Sequence, residues 1–443
     1  MFVYLIIYGA VLVLSVIGSR VMISLGPRWG LMDEPSSRRI HTRPVPRAGG
    51  LGIWLDFVIS CACIALTGVE PLFSGDSPFP AFLAASAVLM LVGIVDDRSG
   101  MRPMVKLGGQ LVAALLFWFL SDGDKGNIAG IDIPGWLDAL IWVLWIILLV
   151  NAYNLIDGLD GLCGGLAWIS MAGLLVAAVS LGIGGPGVLL VVIMMASVMG
   201  FLFFNRTPAR LFLGDAGSML LGLFIATVAT ELVGRRTVGA VVLLPVAVAG
   251  VPLFDVLLAV WRRVIKRFVR KVRGEKAGGL FDADKEHLHH RLLARGWSQR
   301  RVAEVLQICA ATVMLLCFLP LILGSEGWTL AIPLAFLLGV FLLRHTASVE
   351  LIQSGNAIQM AFKKPGSDKR RRLTYMILDV ILVLVAWLIV FFIEQRMLKS
   401  PGGGAYLFSF VLAQVVGGVA ALHLAGVYRT VWRRALVLEM ATV

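Results

Sequence analysis

Four polar stretches interrupt a chain that otherwise reads as apolar helix, and each carries groups able to do chemistry. In Asn151-Ala-Tyr-Asn154-Leu-Ile-Asp157-Gly-Leu-Asp160-Gly161, two carboxamides and two carboxylates recur every third residue. Oxygen donors of this kind suit a hard cation such as Mg2+. On a continuous helix Asn154 and Asp157 would be neighbours and Asp160 would lie off their axis; Gly158 and Gly161 point to a helix end that opens. In Asp96-Asp97-Arg98 two like charges stand side by side, which calls for a metal ion or nearby basic groups. Lys106 follows at the start of a helix opened by Pro103, where anions are favoured. Gly214-Asp215-Ala-Gly217-Ser218 opens another helix, offering backbone N–H groups beside a carboxylate. In the fourth, His287-Leu-His289-His290-Arg291, three of the six histidines fall within four residues. No second ligand cluster supports zinc there, and an anion- or sugar-contacting surface fits better. Each stretch also has a plainer reading as a charged loop or helix cap. The cost of ionisable groups at membrane depth, about 2.5–3.5 kcal/mol each on insertion scales, favours function. The lone charges Asp56, Asp255 and Asp379 read as pairing inside the bundle.

The elements that must position these groups follow from composition. Of 443 residues, 59% are hydrophobic and 15% charged, against roughly 25% charged in soluble domains. The apolar residues come in blocks near the ~20 residues a spanning helix needs. Only helices or a closed barrel cross a bilayer, and period-two alternation is lacking, so the expected fold is an all-α polytopic bundle. Candidate spans are 2–25, 51–69, 80–95, 105–121, 137–151, 164–182, 186–204, 217–234, 237–261, 303–323, 328–344, 374–394 and 405–426. About eleven form a core (1–345), joined by a basic linker (346–373) to a two-helix extension (374–443). Met1 to Leu25 lacks the basic n-region of a signal peptide and reads as a retained first helix. The five cysteines lie in or beside apolar runs without CxxC spacing and read as packing residues.

A net charge of +12 first brings nucleic acid to mind. The placement argues otherwise. With connections on alternate sides, 33 of the 39 Lys and Arg fall on one side. Such a bias marks that side as cytoplasmic and puts the N-terminus outside. All four polar stretches share the basic side, so the expected active site faces the cytoplasm, and no nucleic-acid partner is expected. Carboxylates and carboxamides around a cation, with basic and histidine groups converging, suit a phosphate-bearing substrate.

At these residues the sequence resembles the polyprenyl-phosphate N-acetylhexosamine-1-phosphate transferases, the glycosyltransferase family 4 type that includes phospho-N-acetylmuramoyl-pentapeptide transferase. The resemblance covers about residues 1–345. It is carried by the first loop from Asp33 to Gly50, by Asp96, Asp97 and Lys106, by Asn151, Asn154, Asp157 and Asp160, by Asp215, and by His287, His289, His290 and Arg291. It implies a multi-pass enzyme of the bacterial cytoplasmic membrane. In the implied reaction a polyprenyl (undecaprenyl) phosphate attacks the β-phosphorus of a UDP-N-acetylhexosamine, UDP-GlcNAc first, and UMP leaves. This is a first membrane step of cell-envelope polysaccharide synthesis. It implies Mg2+, with Mn2+ as a substitute, on Asp215 and Asn154. Catalytic roles fall to Asp96 and Asp97 at the lipid phosphate and to Asp157 and Asp160 around nucleotide and metal. Substrate contacts fall to Lys106, Asn151, His287, His289, His290 and Arg291. Alternatives are a transporter of an anionic sugar or lipid phosphate, and a muramoyl-pentapeptide or other UDP-HexNAc transferase. The C-terminal Leu378-Asp379 and Gly426-Val-Tyr428-Arg429 pattern resembles the membrane region of polysaccharide-biosynthesis nucleotide-sugar dehydratases. Those two helices could serve a homodimer or a pathway partner.

Overall fold

Helix α8 (Gly214–Val233) stands at the centre of the protein, and from Ala216 to Ala229 every residue is buried. A helix apolar all round must be enclosed by others. Its neighbours are α2 (Gly49–Thr67), α3 (Phe79–Ser99), α5 (Gly135–Ile156), α6 (Leu162–Ser180) and α7 (Pro186–Asn205). The computed structural model describes residues 2–35, 43–68, 72–73, 77–121, 126–128, 131–180, 182–233, 249–260, 263, 267 and 288–323. The expected spans after residue 323, the linker and His287 lie outside the described residues, as do the side chains of His290 and Arg291.

Around α8 the remaining helices form an outer layer. Helix α1 (Phe2–Leu25) packs on α7 and α2, and α4 (Pro103–Leu120) packs on α3 and α5. Both keep large apolar side chains outward, Leu5, Ile6, Val13 and Ile17 on α1 and Leu111, Val112 and Phe119 on α4. That surface matches lipid rather than water. Helix α9 (Ala249–Val260) is short and apolar, α10 (Leu288–Ala294) has seven residues, and α11 (Gln299–Leu323) packs on α6. Among the described residues eight helices are long and apolar enough to span a membrane. The protein is an all-α polytopic membrane protein. Two small antiparallel hairpins were not foreseen: β1 (Met32–Asp33) with β2 (Val45–Pro46), and β3 (Asn127–Ile128) with β4 (Ile131–Asp132). They lie in connections at opposite ends of the bundle.

Two boundaries move in ways that matter for the site. The span expected at 80–95 runs on to Ser99, because no breaker intervenes before Gly100, whose φ of 71° ends the helix. Asp96 and Asp97 are therefore last-turn residues of α3 rather than loop residues. The span expected at 137–151 continues to Ile156, so Asn151 and Asn154 are helical. Asp157 is the C-cap, with φ −77° and ψ 58°, and Asp160 lies in the turn beyond it. The three-residue spacing thus crosses a helix end instead of following one face.

Candidate active site

The ends of α3 and α5 and the starts of α4 and α8 meet at one end of the bundle. Backbone approach there is close because side chains are missing where helices cross. A Cβ on Gly50 of α2 would lie 2.2 Å from the Gly217 Cα of α8, and one on Gly93 of α3 would lie 2.2 Å from the Ala216 Cα. Gly50 N–H also donates to the Leu213 carbonyl at 2.8 Å, and Phe212 N–H to the Pro46 carbonyl at 2.8 Å. The α7–α8 connection is in this way fastened to the end of the first loop.

The Lys106 ammonium gathers three of the expected site residues. It lies 2.6 Å from Asp215 Oδ2, 2.9 Å from Asp96 Oδ2 and 3.0 Å from Asn154 Oδ1. The Asn154 amide in turn donates to Asp215 Oδ1 at 3.0 Å and to Ser218 Oγ at 2.9 Å. Three residues from three other helix ends so converge on one cation, the arrangement that stabilises like carboxylates at close quarters.

Asp97 does something the sequence did not reveal. Its two carboxylate oxygens accept the N–H groups of Asp215 (2.9 Å) and Ala216 (3.1 Å). It thereby caps α8 from more than a hundred residues away, satisfying donors that the first turn leaves open. Gly214 makes room for it: φ is 74°, and a Cβ there would lie 2.7 Å from Asp97 Oδ2. Arg47 approaches Asp97 at 3.9 Å while holding Asp33 at 2.8 Å. Arg47 and Asp33 were legible only as part of the first-loop pattern.

Asp97, Asp157, Asp160 and Asp215 open onto a cleft of about 1350 Å³, whose walls also include Arg43, Arg47 and Arg210. Aspartates and arginines line the cleft together, and Arg47 lies between Asp33 and Asp97. Asp157 sits in the cleft wall. Burial first, then the charges of Asp215 and Asp97, push its carboxyl well above the ordinary carboxylate range, with Arg47 opposing. Asp160 Oδ2 accepts the Ala209 N–H at 3.0 Å, fastening the α5–α6 turn to the α7–α8 connection. Asn205 completes that fastening, accepting Gly161 N–H at 2.9 Å and donating to the Leu211 carbonyl at 2.8 Å.

Of the expected site residues, Asp96, Lys106 and Asn154 meet the cleft only through Asp215, and Asn151 and His289 also lie elsewhere than on its wall. Asn151 sits about a turn deeper, where its amide donates to Gln110 Oε1 (2.7 Å) and the Ile147 carbonyl (2.8 Å). Gln110 Nε2 donates back to Asn151 Oδ1 at 3.4 Å. His289 is 1% exposed and packs behind Gly158: a Cβ on Gly158 would lie 2.3 Å from His289 Nε2. Asp255, read as pairing inside the bundle, accepts the Leu288 N–H at 2.8 Å.

Among the described residues no three His, Cys, Asp or Glu side chains gather as a metal site. The gathered donors are two carboxylates and a carboxamide, converging on one ammonium. Mg2+ is held through one or two carboxylates together with waters and substrate phosphates. The donor set fits such an ion.

Fold and site together define a membrane-embedded helix bundle with a cleft at one end lined by aspartates and arginines. The pattern of glycosyl transferase family 4 matches residues 79–233. The decaprenyl-phosphate N-acetylglucosaminephosphotransferase of Mycobacterium tuberculosis is 34% identical over 314 residues, covering 65% of this chain and 75% of the relative. The probable undecaprenyl-phosphate N-acetylglucosaminyl 1-phosphate transferase of Bacillus subtilis is 30% identical over 340 residues, 75% of this chain and 87% of the relative. The undecaprenyl-phosphate alpha-N-acetylglucosaminyl 1-phosphate transferase of Salmonella typhi is 25% identical over 294 residues, 64% and 74%. The chain belongs to glycosyl transferase family 4.

Proposed function

We propose that this protein transfers N-acetylglucosamine 1-phosphate from UDP-GlcNAc to a polyprenyl phosphate, releasing UMP, at the cytoplasmic face of a bacterial inner membrane. The observation that carries the reading is the convergence of Asp96, Lys106, Asn154 and Asp215, with Asp215 shared between that cluster and the arginine-rimmed cleft. The names of its relatives point to the same chemistry.

The bond changes are simple. An oxygen of the lipid phosphate forms a bond to the β-phosphorus of the donor. The bond from that phosphorus to the bridging oxygen breaks, and UMP leaves with the bridging oxygen. Catalysis then rests on placing two anions together and spreading the charge of the transition state. Mg2+ held by Asp215 and Asn154 would neutralise charge on the diphosphate. Lys106, already 2.6 Å from Asp215, brings a second positive charge to the same oxygens. Arg43, Arg47 and Arg210 attract the anionic substrates to the cleft. Asp97 holds α8 by its N-terminal amides and orients the lipid phosphate. Asp157 lies in the cleft wall, where it can take and release a proton. From the resemblance, His287, His290 and Arg291 contact diphosphate or sugar.

Membranes containing the protein, given UDP-GlcNAc, undecaprenyl phosphate and Mg2+, are expected to release UMP and form a lipid-linked product. Uptake or flipping of substrate without UMP would favour a transporter instead. Asp215→Asn keeps its shape but loses the carboxylate charge, so turnover should fall by at least about 10³-fold with an unchanged elution profile in detergent. Near-normal turnover in that variant would remove Asp215 from the metal site.

A further inference from the structure

We infer that Asp255, α10 and His289 form a strut that fixes the Asp157–Asp160 turn from behind, with Asp255 and His289 as positioning residues. The inference rests on the proposed transfer reaction for its catalytic consequence, and on geometry alone for the strut.

Helix α10 has only seven residues, too few to hold helical structure by local bonding. Its place must come from tertiary contacts, and three are visible. Asp255 lies in the apolar helix α9 and is 1% exposed, a costly position for a carboxylate without a partner. Its Oδ1 accepts the Leu288 N–H, the first amide of α10, at 2.8 Å. Leu288 and Leu292, one turn apart on the same face, are both buried. His289, between them in sequence, is buried against Gly158, occupying the space a side chain at 158 would take.

Gly158 joins Asp157 to Leu159 in the cleft wall. Whatever holds Gly158 therefore bears on the adjacent Asp157 and on Asp160 two residues further along. The other end of the turn is braced separately, by Gln307 donating to the Gly161 carbonyl at 2.9 Å and by Asn205 accepting its N–H. The turn is thus clamped at Gly161 by α11 and α7, and at Gly158 by α10, which Asp255 anchors. A displacement of about 1 Å at a reacting group costs on the order of 10²-fold in rate, so loosening one clamp should register in turnover.

The test compares Asp255→Ala, Asp255→Asn, His289→Ala and the double variant Asp255→Ala/His289→Ala in the full-length protein. Two readouts are used: kcat and KM for UMP release from UDP-GlcNAc, and amide hydrogen exchange of peptides covering 155–165 and 288–294. Asp255→Ala and His289→Ala should each lower kcat by about 10–100-fold with KM for UDP-GlcNAc little changed, and both should speed exchange across 155–165. Asp255→Asn retains an acceptor oxygen and should stay near wild type in both readouts. The double variant should be no worse than His289→Ala, since the two act through one contact chain. Unchanged exchange at 155–165, multiplying losses in the double variant, or Asp255→Asn as damaging as Asp255→Ala would each overturn the strut. A rise in KM with kcat intact for His289→Ala would make His289 a substrate contact instead. If the wild-type protein releases no UMP from any UDP-N-acetylhexosamine, the transfer reading fails, and the exchange data still decide the strut.

Discussion

Lys106 is held by oxygens from three other helix ends, and this makes it structural as well as chemical. Removing the cation leaves Asp96 Oδ2 and Asp215 Oδ2 facing one point without compensation. Breaking a buried pair costs about 3–5 kcal/mol. Asp215 is 38% exposed on its side chain, so water screens part of this and about 2 kcal/mol is the better figure. Lys106→Met should therefore lower the thermal midpoint in detergent without divalent ions, and added Mg2+ should raise that midpoint more than it raises the wild type's. Equal midpoints for the two proteins would show that the cluster does not need the ammonium. At this scale much of the site was legible. Asp96, Lys106, Asn154 and Asp215 were singled out for charge and amide chemistry in unusual places, and the structure brings all four together. Asn151 was grouped with them by residue type, by spacing and by the family resemblance. Its turn toward Gln110 depends on what α4 offers opposite it, which no spacing within α5 reveals.

Among the elements, α8 depends on glycines of its neighbours. The Gly50–Gly217 crossing brings α2 and α8 together backbone to backbone. A methyl group on Gly50 overlaps backbone, which cannot rotate aside, so overpacking of about 1–3 kcal/mol is expected. Gly50→Ala should lower the thermal midpoint, and it should also lower activity, because the same shift moves the α8 amides off Asp97. Gly9→Ala is the control: nothing lies within 4 Å of that position, and neither property should change. If Gly50→Ala kept full activity, the helix crossing would not be what sets the site. Helix existence was readable from apolar block length, and ten described helices answer to expected spans. Helix ends were less readable. Asp96 and Asp97 stayed helical because the first breaker is Gly100, and Asn151 and Asn154 stayed helical because tertiary partners satisfy their side chains.

For the whole molecule the question is which way the cleft faces. The basic residues counted along the chain lead to the expectation that it faces the cytoplasm, and from α1 to α8 the described helices alternate as that count requires. The ends of α1, α3, α5 and α7 and the starts of α2, α4, α6 and α8 lie together, with β1–β2 on that side and β3–β4 on the other. In intact cells a membrane-impermeant maleimide should label Asp132→Cys, on the β3–β4 hairpin, above the wild-type background. Arg210→Cys, on the cleft rim, should be labelled only after the membrane is opened. The reverse pattern would invert the topology and place the cleft outside. The sequence by itself determined that this is a multi-pass helical protein, that the Asp96, Asn154 and Asp215 stretches share a side, and which family the chain belongs to, because apolar length, charge bias and residue type are properties of local composition. Only the tertiary structure decided which groups touch. Asp97 caps a helix far along the chain, Asp255 anchors α10, and His289 backs Gly158. Each pairing joins residues distant in sequence, and the packing of α8 against its neighbours, rather than any local pattern, sets their separation.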